Sequence, residues 1–214
     1  NGLMSRGVAP AAALAFLLSA PAINPIVLAS TFVAFPGEPM MVVARFIASL
    51  ATAVIMGWLW LRFGKAQWLR IGPRDHLVGS SSWHTFRLTA THDFLHAGGF
   101  LVIGGLFAAA LNVLVPQQWL AAVADQPILS VLVLAFLAVL LSICSEADAF
   151  VAASLTEFSL TAKLAFLVVG PMVDLKLISL QAGTFSGKFA TRFAPTTFVL
   201  AVIFSLLVGW WLLT

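Results

Sequence analysis

The stretch Leu14-Ala-Phe-Leu-Leu-Ser-Ala-Pro21-Ala-Ile-Asn24-Pro25 returns 150 positions later as Leu164-Ala-Phe-Leu-Val-Val-Gly-Pro171-Met-Val-Asp174-Leu175. Five positions are identical, and Leu18/Val168, Ala20/Gly170, Ile23/Val173 and Asn24/Asp174 differ conservatively. Each copy sets a proline and an amide or carboxylate inside an apolar run. A proline removes a backbone donor and disfavours helix at the residue before it. Ala20 and Asn24 are therefore expected to turn extended, leaving half-helices too short for a bilayer core that needs about twenty residues. A matched pair of interrupted apolar segments marks the binding site of a transporter built from repeats.

Composition identifies the solvent. The chain is 61% hydrophobic and 9% charged, where a soluble domain carries about 25% charged residues. Trp58, Trp60, Trp68, Trp83, Trp119, Trp210 and Trp211 lie near the ends of apolar runs, as interfacial aromatic residues do. The expected fold class is an all-α polytopic membrane protein with an internal duplication and two Pro-broken helices, each re-entrant or discontinuous. One cysteine, Cys144, excludes an internal disulfide and a multi-cysteine metal site. The net charge of +3 reads as basic cytoplasmic loops and not as a nucleic-acid surface.

The expected organisation places the end of a first repeat at 1–61, with a broken segment at 8–35 and a span at 40–61. A basic cytoplasmic linker follows at 62–93. The second repeat, 94–214, holds spans at 94–115, 128–143 and 195–213 around a second broken segment at 158–182. Counted from a cytoplasmic linker, the span at 128–143 returns inside. Lys163, Lys176, Lys188 and Arg192 then suit a broken segment that dips in and comes back, which makes the duplication inverted. A segment that crosses fully would make it parallel on that count. The counterpart of Cys144–Phe150 falls at or before position zero, so the repeat also predicts one or two spans ahead of Asn1.

Ionisable residues inside a bilayer are costly and default to functional hypotheses. Glu146 and Asp148, with Cys144 and Ser145 beside them, read either as a proton-coupling carboxylate with a substrate-facing Ser or Cys, or as a helix start capped by Ser145. Asn24 and Asp174 sit at the breaks, where they either complete a shell for an ion or polar substrate or satisfy backbone freed by the prolines. Thr31 and Gln181 align in the repeat and could line the same cavity or bond neighbouring helices. His92 and His96 share a helix face in His-Asp-x-x-His, a weak candidate metal pair without an evident third ligand. Arg45, inside a span, either snorkels outward or pairs with a buried acid.

The strings Ala15–Pro25, Cys144-Ser-Glu-Ala-Asp-Ala-Phe150 and Gly170-Pro-Met-Val-Asp-Leu-Lys176 together resemble the bacterial predicted-permease family, whose best-known branch is the organoarsenical efflux permeases. The resemblance covers nearly the whole chain and implies a multi-pass permease of the bacterial inner membrane. An arsenical substrate would lean on thiols, and Cys144 is the single one here, so arsenic specificity is not carried over.

The expected function is a secondary transporter for a small solute or metal(loid) species, with efflux coupled to protons on Asp174, Glu146 or Asp148. The alternatives are an intramembrane enzyme using Ser145, Glu146 and Asp148, and a scaffold subunit. No cofactor is expected, and no Gly-x-x-x-x-Gly-Lys-Ser/Thr loop is present to bind ATP. Expected partners are the lipid bilayer, a small solute or ion and a second copy of the chain.

Overall fold

A computed structural model describes residues 8–64 and 123–214, together with positions 83, 87, 91 and 106. The expected span at 94–115, most of the linker at 62–93, and His92 and His96 lie outside the described residues. Eight helices are placed among the described ones: α1 (Pro10–Ala22), α2 (Pro25–Ala34), α3 (Pro39–Phe63), α4 (Pro127–Leu141), α5 (Asp148–Ser154), α6 (Leu160–Met172), α7 (Leu175–Thr184) and α8 (Gly187–Leu212). Four helical segments are long and apolar enough to cross a membrane: Pro10–Ala34, Pro39–Phe63, Leu160–Gly183 and Gly187–Leu212. The protein is an all-helical multi-pass membrane protein.

Both quoted stretches break, but not at Pro21 or Pro171. Each of those prolines lies inside the last turn of its helix, where a missing N–H frees a single carbonyl. Ala20 therefore stays helical. The chain turns extended at Asn24 (ψ 143°) and Asp174 (ψ 166°). Asn24 Oδ1 accepts from Ile26 N at 2.7 Å, and Asp174 Oδ1 accepts from the Leu177 amide. A side-chain oxygen thus satisfies a backbone donor that hydrocarbon would leave orphaned. Every bound of α6 and α7 is displaced by 150 positions from the corresponding bound of α1 and α2.

Direction follows from contacts. Trp60 of α3 packs edge-on against Phe189 of α8, with ring centroids 5.2 Å apart, and against Phe193 at 6.4 Å. One turn back along α3, Met56 shares a cavity wall with Thr196, one turn further along α8. α3 and α8 are therefore antiparallel. Gly57 in the second half of α3 meets Ala15 and Ala11 near the start of α1, whereas Gly209 near the end of α8 meets Thr161 at the start of α6. α1 begins at the end of the molecule that holds Gly64, and α6 begins at the end that holds Gly209. α2 and α7 each finish a few residues before the helix antiparallel to them begins. The two broken helices are discontinuous full crossings that run in opposite directions.

This corrects the expected dip and return of the second broken segment. Lys163 lies at the Gly209 end, while Lys188 and Arg192 lie at the Gly64 end. The count went astray at 128–143, expected to be a span. α4 has 15 residues, about 22 Å at 1.5 Å per residue, short of a core about 30 Å thick. It packs along α6. Its last turns meet the α6–α7 break: a Cβ on Gly170 would lie 3.7 Å from Ala138 Cβ, and Leu175 N donates to Ser142 Oγ at 3.2 Å. α4 enters from the Gly209 end, stops at the level of the break and returns through α5 to Ser159, which caps α6 through Ala162 N. Residues 127–159 form a re-entrant hairpin. The last span likewise starts at Gly187, with Pro195 inside it.

Small residues set the closest helix approaches. A Cβ on Gly57 would lie 3.1 Å from Ala15 Cβ, and one on Gly209 only 2.5 Å from Thr161 Cγ2. Ala11 and Thr161 are themselves 150 positions apart, and both glycines precede a tryptophan, Trp58 and Trp210. Gly209→Ala is expected to lower stability in detergent by about 1–3 kcal/mol through overpacking. Thr161→Gly in the same chain should restore most of the loss, as read by thermal unfolding.

Candidate functional site

The tip of the re-entrant hairpin carries the charged residues that sequence singles out. Helix α4 ends at Ser142, whose φ of 46° makes it the one described non-glycine residue in the left-handed region. That geometry turns the chain back on itself. Cys144 O then accepts from Ala147 N at 3.0 Å and Asp148 N at 3.1 Å. Ser145 does not cap the following helix: Ala147 occupies the cap position, no side chain bonds there, and Asp148 is the first helical residue. Asp148 thereby points into the protein and is 2% exposed.

Its partner is Arg45, six residues into α3 and fully buried. Arg45 Nη2 donates to Asp148 Oδ1 at 3.0 Å and Oδ2 at 2.8 Å. The same nitrogen reaches the Ser145 carbonyl at 3.1 Å. Arg45 Nη1 donates to Thr31 Oγ1 at 2.7 Å, and the Thr31 hydroxyl donates to Val27 O at 2.8 Å. One guanidinium thus joins the span α3, the second half of the first broken helix and the hairpin tip. Of the two readings open for Arg45, pairing with a buried acid is the one observed.

The second broken helix closes the site. Gly170, one residue before Pro171, is the point where a Cβ would approach Asp148 Oδ2, at 3.9 Å. Ser142 Oγ holds Leu175 N at the other side of the break. The hairpin tip is therefore wedged between Arg45 and the α6–α7 break. Arg45 Nε and the hydroxyl of Ser49, one turn further along α3, are buried with no hydrogen-bond partner among the described residues. Ser205 Oγ and Gln181 Oε1 are in the same condition.

The structure brings Thr31, Ser145 and Asp148 together with Arg45, but Ser145 takes part through its carbonyl. Glu146 and Cys144 are half-buried beside the pair. Asn24 and Asp174 are engaged as caps of α2 and α7, and neither bonds to the Arg45 cluster. Gln181, aligned with Thr31, is buried, with its Oε1 unpartnered among the described residues. No group of three or more His, Cys, Asp or Glu could hold a metal ion among the described residues. Sequence missed Ser142, Gly170 and Ser49. The Ala20/Gly170 position of the repeat was a usable signal for Gly170; an unlabelled serine in an apolar run offered none.

A multi-pass helical protein with broken crossings and a buried ion pair at a re-entrant tip has the architecture of a permease. The family model described as predicted permease matches residues 1–210, and the chain belongs to that family. It is 36% identical over 208 residues to the UPF0718 protein YcgR of Bacillus subtilis, covering 94% of this chain and 70% of that one. It is 30% identical over 226 residues to a Streptococcus mutans protein named "Putative two-component membrane permease complex subunit", covering 98% and 72%. No solved structure matches the chain.

Removing one member of a buried pair strands the other charge in low dielectric, at a cost of about 3–5 kcal/mol, whereas replacing both with apolar residues is often neutral. Asp148→Leu alone is accordingly expected to destabilise strongly. Arg45→Met with Asp148→Leu should recover most of the stability in a denaturant or thermal series.

Proposed function

We propose that this permease is a proton-coupled secondary transporter that exports a small solute or metal(loid) species, with Asp148 as the proton carrier and Arg45 as its lock. The observation that carries the reading is the contact of Arg45 Nη2 with both carboxylate oxygens of Asp148, at 3.0 and 2.8 Å, with both side chains buried. A charged pair inside a bilayer is expensive, and such pairs mark ion pathways and proton relays. Protonation of Asp148 removes its negative charge, leaves the guanidinium uncompensated and favours a different arrangement of the hairpin tip. That is a differential interaction of the proton with two states, which coupling requires.

The two broken helices supply the moving parts. Their identical element boundaries at an offset of 150 and their opposite directions support an inverted duplication, in which one repeat rocks against the other around a midplane site. Asn24 and Asp174 then act as hinges that keep backbone satisfied, while Glu146, Cys144, Ser145, Thr31 and Gln181 belong to the polar surroundings of the path. Ser145 contributes a carbonyl to Arg45, which favours transport over nucleophilic chemistry. Arg62, Lys188 and Arg192 sit at one end of the molecule, and the positive-inside rule puts that end in the cytoplasm, with the protein in the bacterial inner membrane. By likeness to the Streptococcus relative, whose name places it in a two-component complex, we assign this chain a second membrane component as partner.

The test uses proteoliposomes with an imposed pH gradient, a panel of arsenite, antimonite and small organic acids and amines, and a pH-sensitive dye on the trans side. Wild-type protein is expected to move protons with at least one panel member. Asp148→Asn should reduce that flux at least tenfold, and the Arg45→Met/Asp148→Leu double variant should be folded and silent. Flux in either variant equal to wild type would remove Asp148 from the role.

A further inference from the structure

We propose that the cleft between the end of α3 and the start of α8 is a binding site for an anionic phospholipid, with one acyl chain inside and the phosphate on basic residues at its mouth. The cavity holds about 340 Å³. Its walls are Leu59, Trp60 and Phe63 from α3 and Phe193 from α8, with Arg192 and Thr196 as the polar members. The aromatic set is tied together: Phe189 and Phe193 stack with centroids 4.7 Å apart and an interplanar angle of 19°, and Trp60 meets both edge-on. Phe189 thus backs two of the aromatic wall residues, Trp60 and Phe193, from outside the cavity.

The mouth is what selects the occupant. Lys188, Arg192 and Thr196 follow one another at four-residue intervals and so lie along one strip of α8. Lys188 and Arg192 are exposed, and Arg62 is exposed on the last turn of α3 at the same end. Asp and Glu are absent from both bordering helices. An apolar slot at the end of two membrane spans, with Arg192 in its wall and Lys188 and Arg62 exposed at the same end, fits an amphiphile with an anionic head. The lipids around the protein are the amphiphiles present at the highest local concentration. Basic pockets between spans on the cytoplasmic side are a known way to hold acidic head groups. This inference does not rest on the transport reading, because it concerns the opposite end of α3 from Arg45.

Photo-crosslinking tests it. Full-length protein is reconstituted with phosphatidylglycerol or phosphatidylcholine carrying a diazirine near the acyl terminus, and labelled peptides are mapped. Phosphatidylglycerol is expected to label residues 56–64 and 189–196 at least fivefold more than phosphatidylcholine. Lys188→Gln with Arg192→Gln should bring the two lipids to equal labelling, while labelling of the lipid-facing Val199 and Ile203 stays unchanged. Thr196→Trp, which fills the slot and keeps the cations, should remove label from Leu59 and Phe63. Equal labelling by the two lipids in wild type, or full labelling after Thr196→Trp, would overturn the proposal. So would complete displacement by glycerol phosphate alone, which would make the site one for a soluble phosphate. Thermal unfolding of each variant separates loss of lipid from loss of fold.

Discussion

The organisation of the described structure depends on one guanidinium held in place where hydrocarbon should be. Arg45 has no surface exposed, so its charge must be met from within. Three groups from two segments meet it: Thr31 from the first broken helix, and the Ser145 carbonyl and the Asp148 carboxylate from the hairpin tip. The last two belong to a hairpin that is also held by packing on α6, by the Phe136–Phe198 ring contact with α8 and by the Ser142 bond at the second break. Without Arg45 the hairpin tip would carry a buried acid with no counter-charge. With it, the hairpin, the span and the second half of the first broken helix share one junction, beside Gly170 of the second broken helix.

The breaks obey the same constraint in neutral form. A helix interrupted inside a membrane leaves donors and acceptors that water cannot reach. Asn24 answers with a side-chain oxygen for Ile26 N, Asp174 for Leu177 N, and Ser142 for Leu175 N. The break is therefore a satisfied joint, which can persist in the bilayer without a ligand. Pro21 and Pro171 weaken the helix just before each joint by deleting one donor, so bending concentrates there. A joint that is satisfied and locally weak is what a rocking element requires. Mutual placement is then secured by glycines, with Gly57 of α3 against α1, Gly209 of α8 against α6 and Gly170 of α6 beside Asp148.

Much of this was legible in the residues. Composition gave the membrane class, and the Leu14–Pro25 and Leu164–Leu175 match located both broken helices, because proline and an Asx residue in an apolar run have few other uses. The Cys144–Phe150 string stood out as charge where charge is costly. Arg45 was visible as an intramembrane cation, but its partner was not, since Arg45 and Asp148 are 103 positions apart and nothing in either local pattern names the other. The true course of 128–143 was hidden for a different reason. A half-crossing helix is as apolar as a full one, and only its length of 15 residues and the left-handed turn at Ser142 reveal that it stops. Misjudging that one element inverted the assignment of ends for Lys163. A cap was one of two readings open for Ser145 from its place before two acids, yet the helix begins later, at Asp148, because the turn closed by Cys144 O absorbs the intervening residues.

The most direct test of the junction is a solid-state NMR distance in lipid bilayers, between ¹⁵N-labelled arginine side chains and ¹³C-labelled aspartate carboxylates, with Asp148→Asn as the difference control. The account predicts a strong dipolar contact at hydrogen-bonding range that is present in wild type and absent from the control. Wild-type and control spectra that coincide would show that Arg45 and Asp148 do not meet, and the junction on which the hairpin tip and the proposed coupling depend would not exist.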